Sequence, residues 1–248
     1  MEDGFHKVRL YLDRMEIPFY GTADSRRLEG EPGGHRPSDL LAGARSVLCV
    51  GIPVPKGVFL CGGRSESTYW RTASVIYRFL DAVLVRCAAV LEEAGVTAVP
   101  VFGCFPYDVK GKGDFWGYLN LVKAAETAGL GKMGRNGLLV NSTAGCRLLL
   151  GGIVTTAVLP EWRPHGEPAG CPDGCSACAQ ACPVQAIDGE GRVDRLRCVR
   201  HSMRSPLFIH LVKSGEVADG DVSLINHIAA VDDHSMYTCI ACVAACPY

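Results

Sequence analysis

Eight of the 13 cysteines lie within residues 171–248, and this crowding constrains the chain more than any other feature. Residues 1–15 carry no apolar run of the kind found in a secretory signal, so we expect a cytoplasmic protein. Crowded cysteines in a reducing compartment predict metal ligands, because disulfides persist in oxidising surroundings. The eight are Cys171, Cys175, Cys178, Cys182, Cys198, Cys239, Cys242 and Cys246.

Two motifs organise these cysteines. Residues 171–183 read CPDGCSACAQACP, and residues 239–247 read CIACVAACP. Short spacings that end in Cys-Pro are typical of two-cluster ferredoxins, in which the last cysteine of each motif binds the cluster of the other motif. The second motif lacks a first cysteine of its own, and Cys198 can supply it.

The spacing therefore predicts two 4Fe–4S clusters with four thiolates each. Two structural zinc sites are the alternative, because zinc also binds four thiolates. The proline endings and the interleaved spacing favour clusters. The predicted ligands are Cys171, Cys175, Cys178 and Cys246 for one cluster, and Cys182, Cys198, Cys239 and Cys242 for the other.

The remainder of the chain has the pattern of an α/β (α+β) core over residues 1–160. Apolar runs predict strands over 46–52 and 97–102, and helical spacing predicts helices over 69–94 and 118–129. Residues 147–159 predict a strand pair or one long bent strand. A segment rich in proline and glycine begins near residue 160, so residues 161–248 are predicted to form a separate cluster module, with a helical insertion at 199–238.

The composition limits the kinds of binding partner that we expect. The chain has 25 Lys and Arg against 26 Asp and Glu, and this balance argues against a dedicated nucleic-acid binder. No apolar stretch is long enough to predict a membrane span. We expect a redox donor such as ferredoxin or flavodoxin, a small-molecule substrate and possible pairing as a homodimer.

Three segments together resemble the epoxyqueuosine reductase family, which is related to the reductive dehalogenases. They are RPSDLLAGARSVLCVGIPVP at 36–55, AAETAGLGKMGRNGLLVN at 124–141 and the two cysteine motifs. The resemblance implies a nitroreductase-like core that binds cobalamin (a corrinoid), followed by a two-cluster ferredoxin-like module. It also implies that the clusters pass single electrons to the cobalt, which then reduces the substrate.

The glycine-rich turn at 128–136 is the corrinoid site that this resemblance implies. Glycine allows close backbone approach to a flat macrocycle or a phosphate, although an ordinary structural turn has the same composition. Arg135 and Asn136 can bind amide or phosphate groups of the cofactor or cap the surface, and Lys123 can pair with an anionic group or remain solvated. The predicted residues are Lys123, Ala128, Gly129, Gly131, Gly134, Arg135 and Asn136.

The proton donor is expected shortly after the strand at 97–102. Tyr107 and Asp108 are the predicted catalytic residues, because either side chain can give a proton to a product. Cys104 lies nearby as a thiol that can approach the cobalt or as an inert buried cysteine.

Two functions compete at this point. The first is a cobalamin-dependent iron–sulfur reductase acting on a small organic substrate. The second is an electron-transfer or activator protein that serves a corrinoid enzyme. The chain stops soon after Cys246, without the helical-repeat region that the resemblance associates with tRNA, so nucleic acid is predicted to be an unlikely partner.

Overall fold

The computed structural model describes residues 2–104, 107–109, 115–162, 169–188, 190–202 and 238–248. The helices of this part are α1 (Glu2–Arg14), α2 (Pro37–Leu40), α3 (Ser65–Glu93), α4 (Leu121–Thr127), α5 (Ala177–Ala181), α6 (Arg195–Ser202) and α7 (Ala241–Ala244). Short 3-10 turns lie at Ser25–Leu28, Lys56–Leu60 and Gly62–Arg64. The strands are β1 (Phe19–Asp24), β2 (Ser46–Pro53), β3 (Ala98–Val101), β4 (Tyr107–Val109), β5 (Phe115–Gly117), β6 (Lys132–Met133), β7 (Leu139–Val140) and β8 (Leu148–Thr155).

A four-stranded sheet in the order β1-β2-β8-β3 forms the centre of the core. All of its pairings are antiparallel, and β2 runs beside β8 from Ser46 opposite Thr155 to Pro53 opposite Leu148. Residues 147–159 thus contribute one continuous strand to this sheet instead of a strand pair. Because the sheet is antiparallel and flanked by helices, the class is α+β.

Helices cover both faces of the sheet. Alternate residues of a strand point to opposite faces. Leu48 and Val50 pack with α1 and α3, whereas Val47 and Cys49 pack with α4. Burial on both faces explains why β2 reads as an unbroken apolar run and not as an alternating one.

The predicted strands and helices of the core are confirmed, with ends that differ by a few residues. Strand β2 covers the apolar run at 46–52, and α3 extends the helix predicted over 69–94 by four residues at its start. Gly151 on β8 makes room for α3, since a Cβ at this position would lie 2.5 Å from Cδ1 of Leu84.

The chain stays attached to the core as it leaves the sheet. The Trp162 backbone N–H donates to Oγ1 of Thr22 at 2.7 Å, and the Thr22 N–H donates to the Trp162 carbonyl at 2.9 Å. The Trp162 ring stacks on Tyr20 and carries the Arg9 guanidinium 3.6 Å from its centroid. Physical attachment to the core therefore continues past residue 160, where the composition changes.

The three short helices α5, α6 and α7 carry or flank the cysteine motifs, and α5 packs on α7. Val243 of α7 packs on Val140 and Cys146 of the core. Among the described residues, no helix is long and apolar enough to cross a membrane.

Candidate metal centre

Four cysteines line a first cavity between the turn after β6 and the C-terminal segment. Asn136 and Val140 of the core complete its wall. The cysteines of this cavity are Cys171, Cys175, Cys178 and Cys246.

Four other cysteines line a second cavity. Ile187 and Val193 form its apolar side, and Asn136 again contributes to the wall. The cysteines of this cavity are Cys182, Cys198, Cys239 and Cys242. The two sets have the same membership as the two ligand sets expected from the spacing.

Helix ends explain why the sets interleave. Cys178 lies within α5, but Cys182 is the residue at which α5 ends, with an extended backbone conformation. Cys242 lies within α7, and Cys246 follows its end. Because Cys182 lies at the end of α5, it lines the same cavity as Cys242 of α7. Because Cys246 lies beyond the end of α7, it lines the same cavity as Cys178 of α5.

Burial and mutual repulsion make the thiols resist ionisation. Burial raises the pKa of Cys242 to about 12, and the neighbouring Cys198 and Cys239 add to the rise. Burial raises the pKa of Cys198 as well, followed by the effects of Cys239 and Cys182. Since thiolates are the metal-binding form, a set of this kind is stable only when a strongly positive group offsets the repulsion. Iron in a 4Fe–4S cluster is such a group, and the donor set fits it.

The zinc alternative finds no support in this geometry. Within the described ranges, no group of three or more His, Cys, Asp or Glu side chains is arranged to hold a single metal ion.

Backbone N–H groups donate hydrogen bonds to one cysteine of each set. The Arg135 N–H donates to Sγ of Cys171 at 3.4 Å, and the Ala186 N–H donates to Sγ of Cys182 at 3.2 Å. The first of these bonds comes from the core, so the turn that was expected to line a corrinoid instead touches a cluster ligand.

The other residues expected at the corrinoid are engaged by their own chain. Ala128 is completely buried in the core, and the Lys123 ammonium lies 2.7 Å from Oε2 of Glu126. Gly129 ends α4 with a φ of +82°, a conformation that favours glycine at this position.

Gly131 and Gly134 pack against β7. A Cβ at Gly131 would lie 2.2 Å from the Val140 carbonyl oxygen, and a Cβ at Gly134 would lie 2.7 Å from the Val140 side chain. The space that the missing side chains of these glycines leave is filled by Val140 of the same chain. The role of the turn residues in cofactor binding stays a prediction.

Tyr107 and Asp108 lie on β4, where their backbones pair with Gly117 and Trp116 of β5. His35, which is completely buried, approaches the Gly117 carbonyl with Nδ1 at 2.9 Å and stacks on Trp116 with ring centroids 4.9 Å apart. The Arg195 guanidinium covers the Trp116 ring at 4.4 Å. This stack anchors the hairpin between the core and α6.

Sequence reasoning missed this stack and also missed Cys146. Cys146 is 3% exposed and lies against Cys246, beside the first cavity. Burial raises its pKa, and the adjacent Cys246 raises it further. No motif spacing marks Cys146, and no periodicity pairs His35 with Trp116, so neither could be read from the chain.

Comparison with known proteins agrees with this geometry. Residues 171–248 match the family model described as a 4Fe-4S double cluster binding domain. An epoxyqueuosine reductase of Synechocystis sp. is 43% identical over 77 residues, which are 31% of this chain and 26% of that protein. One of Gloeobacter violaceus is 28% identical over 191 residues, which are 73% of this chain and 53% of that protein.

Solved structures show the same fold. An epoxyqueuosine reductase of Bacillus subtilis matches with a TM-score of 0.63 at 17% identity, over 98% of this chain and 64% of that chain. One solved with an epoxyqueuosine-modified tRNA-Tyr stem loop has a TM-score of 0.62 at 17% identity and the same two coverages. A catabolic reductive dehalogenase bound to 3-bromo-4-hydroxybenzoic acid matches with a TM-score of 0.54 at 14% identity, over 90% of this chain and 35% of that chain.

The fold and the cysteine sets together define an α+β protein that carries a double 4Fe–4S domain. Among such proteins, the chain is similar to the epoxyqueuosine reductases, and the resemblance found in the sequence is confirmed. The expected oxidoreductase class is also confirmed, since these relatives are named as reductases. The chain spans between 26% and 53% of the length of these two curated relatives.

Two expectations were wrong. The relatives are named for epoxyqueuosine, and one structure holds a modified tRNA stem loop, which contradicts both the small-molecule substrate and the exclusion of nucleic acid. A net charge of −1 sums over the whole chain and does not report local charge. Arg26, Arg27 and Arg45 line one cavity of about 590 Å³ together with Asp24 and Glu161.

Replacing Gly131 with alanine tests its packing role. We expect Gly131→Ala to destabilise the cofactor-free protein by about 1–3 kcal/mol, because the new methyl group meets a backbone oxygen. Chemical unfolding measures the change, and Gly57→Ala is the matched control because nothing lies within 4 Å of a Cβ there. Unchanged stability together with loss of corrinoid binding would instead support the role expected from the sequence.

Single cysteine variants test the division into two sets. Cys246→Ser is expected to disturb the first cluster and Cys198→Ser the second, because each removes one ligand from one cavity. Iron content and the EPR signals of the reduced protein report which cluster survives. Exposed Cys61→Ser is the control and should retain both. The same signal lost in both ligand variants would contradict the division.

Proposed function

We propose that the chain is an iron–sulfur oxidoreductase that reduces epoxyqueuosine within tRNA. The observation that carries the proposal is the pair of four-thiol cavities packed on an α+β core of the epoxyqueuosine reductase fold. Reductive removal of an epoxide oxygen as water takes two electrons and two protons. When bound, the clusters supply electrons one at a time.

The surroundings of Tyr69 support a role for the hairpin near the second cavity. Tyr69 of α3 lies within electrostatic reach of Cys242 and Cys239 in that cavity, and also of Cys104. Cys104 stands three positions before Tyr107, the first residue of β4, so this thiol and the proposed proton donors are close in the chain. The stack of His35, Trp116 and Arg195 then holds the hairpin at this junction.

Further parts of the proposal follow from the resemblance and the cysteines. The core is of the nitroreductase-like kind and extends over residues 1–160, with the cluster module at 161–248. Cysteines that act as metal ligands and not as disulfides suit a reducing compartment such as the cytoplasm, with a ferredoxin or flavodoxin as donor. A corrinoid belongs to the proposal through the resemblance, with the turn at 128–136 as its predicted site.

The test uses the protein reconstituted anaerobically with iron and sulfide. An epoxyqueuosine-containing tRNA stem loop is offered with a strong chemical reductant, with and without added cobalamin. We expect mass spectrometry of the nucleosides to show loss of one oxygen atom from the modified base. Cys198→Ser should abolish this reaction, and Cys61→Ser should not.

Two outcomes separate the parts of the proposal. Retention of the epoxide while both clusters are reduced and cobalamin is present would overturn the activity. Cobalamin binding is measured independently, by co-elution with the protein and a changed corrinoid absorption spectrum. Reduction without any retained corrinoid would overturn the corrinoid part alone.

Asp108→Asn and Tyr107→Phe test the proposed proton donors. Loss of a general acid is expected to lower turnover by roughly 100-fold or more, while the reduced cluster signals stay unchanged. The assay is the stem-loop reaction, and Glu92→Gln on the exposed surface of α3 is the control. Full turnover in both variants would remove the pair from the mechanism.

A further inference from the structure

Asn136 has no assigned role in the proposed reduction of epoxyqueuosine. Among the described residues, it is the one residue that lines both cysteine cavities. It comes from the core, whereas the eight thiols come from the cluster module. A polar side chain on the common wall of two redox sites is therefore able to influence both.

The orientation of the Asn136 amide follows from its hydrogen bonds. Its Oδ1 accepts the Leu138 N–H at 3.2 Å, which forms an Asx turn. With the oxygen used in this way, the NH₂ group is the donor end of the amide. The Asn136 side chain also hydrogen-bonds the thiol of Cys146, which packs with Cys246.

The turn around Asn136 is held tightly in position. The Gly134 N–H donates to the Leu138 carbonyl at 2.8 Å, and the Gly137 N–H donates to the Gly134 carbonyl at 2.9 Å. Gly137 has a φ of +75°, and a Cβ at Gly134 would lie 3.1 Å from Oδ1 of Asn136. The Arg135 N–H bond to Cys171 fixes the same turn to a ligand. The amide is thus preorganised and does not have to move when the charge at the cavities changes.

Reduction adds negative charge to a site that is already rich in thiolates. Hydrogen bonds and dipoles that point their positive end at cluster sulfurs favour the reduced form and raise the reduction potential. An amide NH₂ group on the shared wall acts on both sites at once.

We propose that Asn136 is a positioning residue that raises the reduction potentials of both clusters by presenting its amide NH₂ group at their common wall. This extends the proposed function but depends only on cluster binding, not on reduction of epoxyqueuosine. Its failure would leave the tRNA reaction untouched, and failure of the tRNA reaction would leave it standing.

The decisive variant is Asn136→Asp. Aspartate keeps the oxygen that accepts the Leu138 N–H but replaces the NH₂ group with a negatively charged oxygen. We expect both EPR-monitored midpoints of the reconstituted full chain to move to more negative potentials, with iron and sulfide content unchanged. A role limited to the turn would leave both midpoints where they are.

Two further variants make the result independent of one substitution. Asn136→Ser keeps a small hydroxyl that can accept the turn bond, removes the NH₂ group and adds no charge, so both midpoints should move in the same direction by less. Gln180→Leu removes an exposed amide from α5 that lines neither cavity, and it should change nothing.

Unchanged midpoints in the aspartate or the serine variant, or a shift of only one cluster, would overturn the proposal. If the aspartate variant does not assemble eight irons, the serine variant decides alone.

Discussion

The mutual repulsion of buried thiolates governs this molecule. Each cavity brings four cysteines together where burial already raises their pKa, so their ionised form depends on a positive group between them. The short helices α5, α6 and α7 have too little apolar surface to hold this arrangement without help. Iron and packing on the core therefore act together to stabilise the module.

The core supplies its part of that support through one short stretch of chain. The turn between β6 and β7 is closed by contacts of Gly131 and Gly134 with Val140, and the same turn presents Arg135 to Cys171 and Asn136 to both cavities. Val140 and Cys146 extend the contact as an apolar patch against Val243. The glycine-rich turn between β6 and β7, whose composition resembles that of a cofactor-binding loop, thus connects the core to the cluster module.

The hydrophobic pattern of the sequence alone predicts much of the fold. Strand β2 and helix α3 follow from an unbroken apolar run and a helical period, because both are buried along their length. The role of the glycine-rich turn stays a prediction, since a glycine that makes room for a ligand and one that makes room for a carbonyl oxygen look identical in a sequence. The prediction that nucleic acid is an unlikely partner was wrong because the net charge is a sum over the whole chain. Such a sum does not describe where individual arginines lie.

What the sequence determined by itself is the chemistry of the metal centre. Cysteine spacing relative to short helices dictates which thiols share a cavity, so the two sets could be written down before any coordinates. Only the tertiary structure decided what surrounds them. The stack of His35, Trp116 and Arg195, the burial of Cys146 beside Cys246, and Asn136 between both cavities join residues far apart in the chain. Such contacts arise from packing of whole elements, and no local periodicity encodes them.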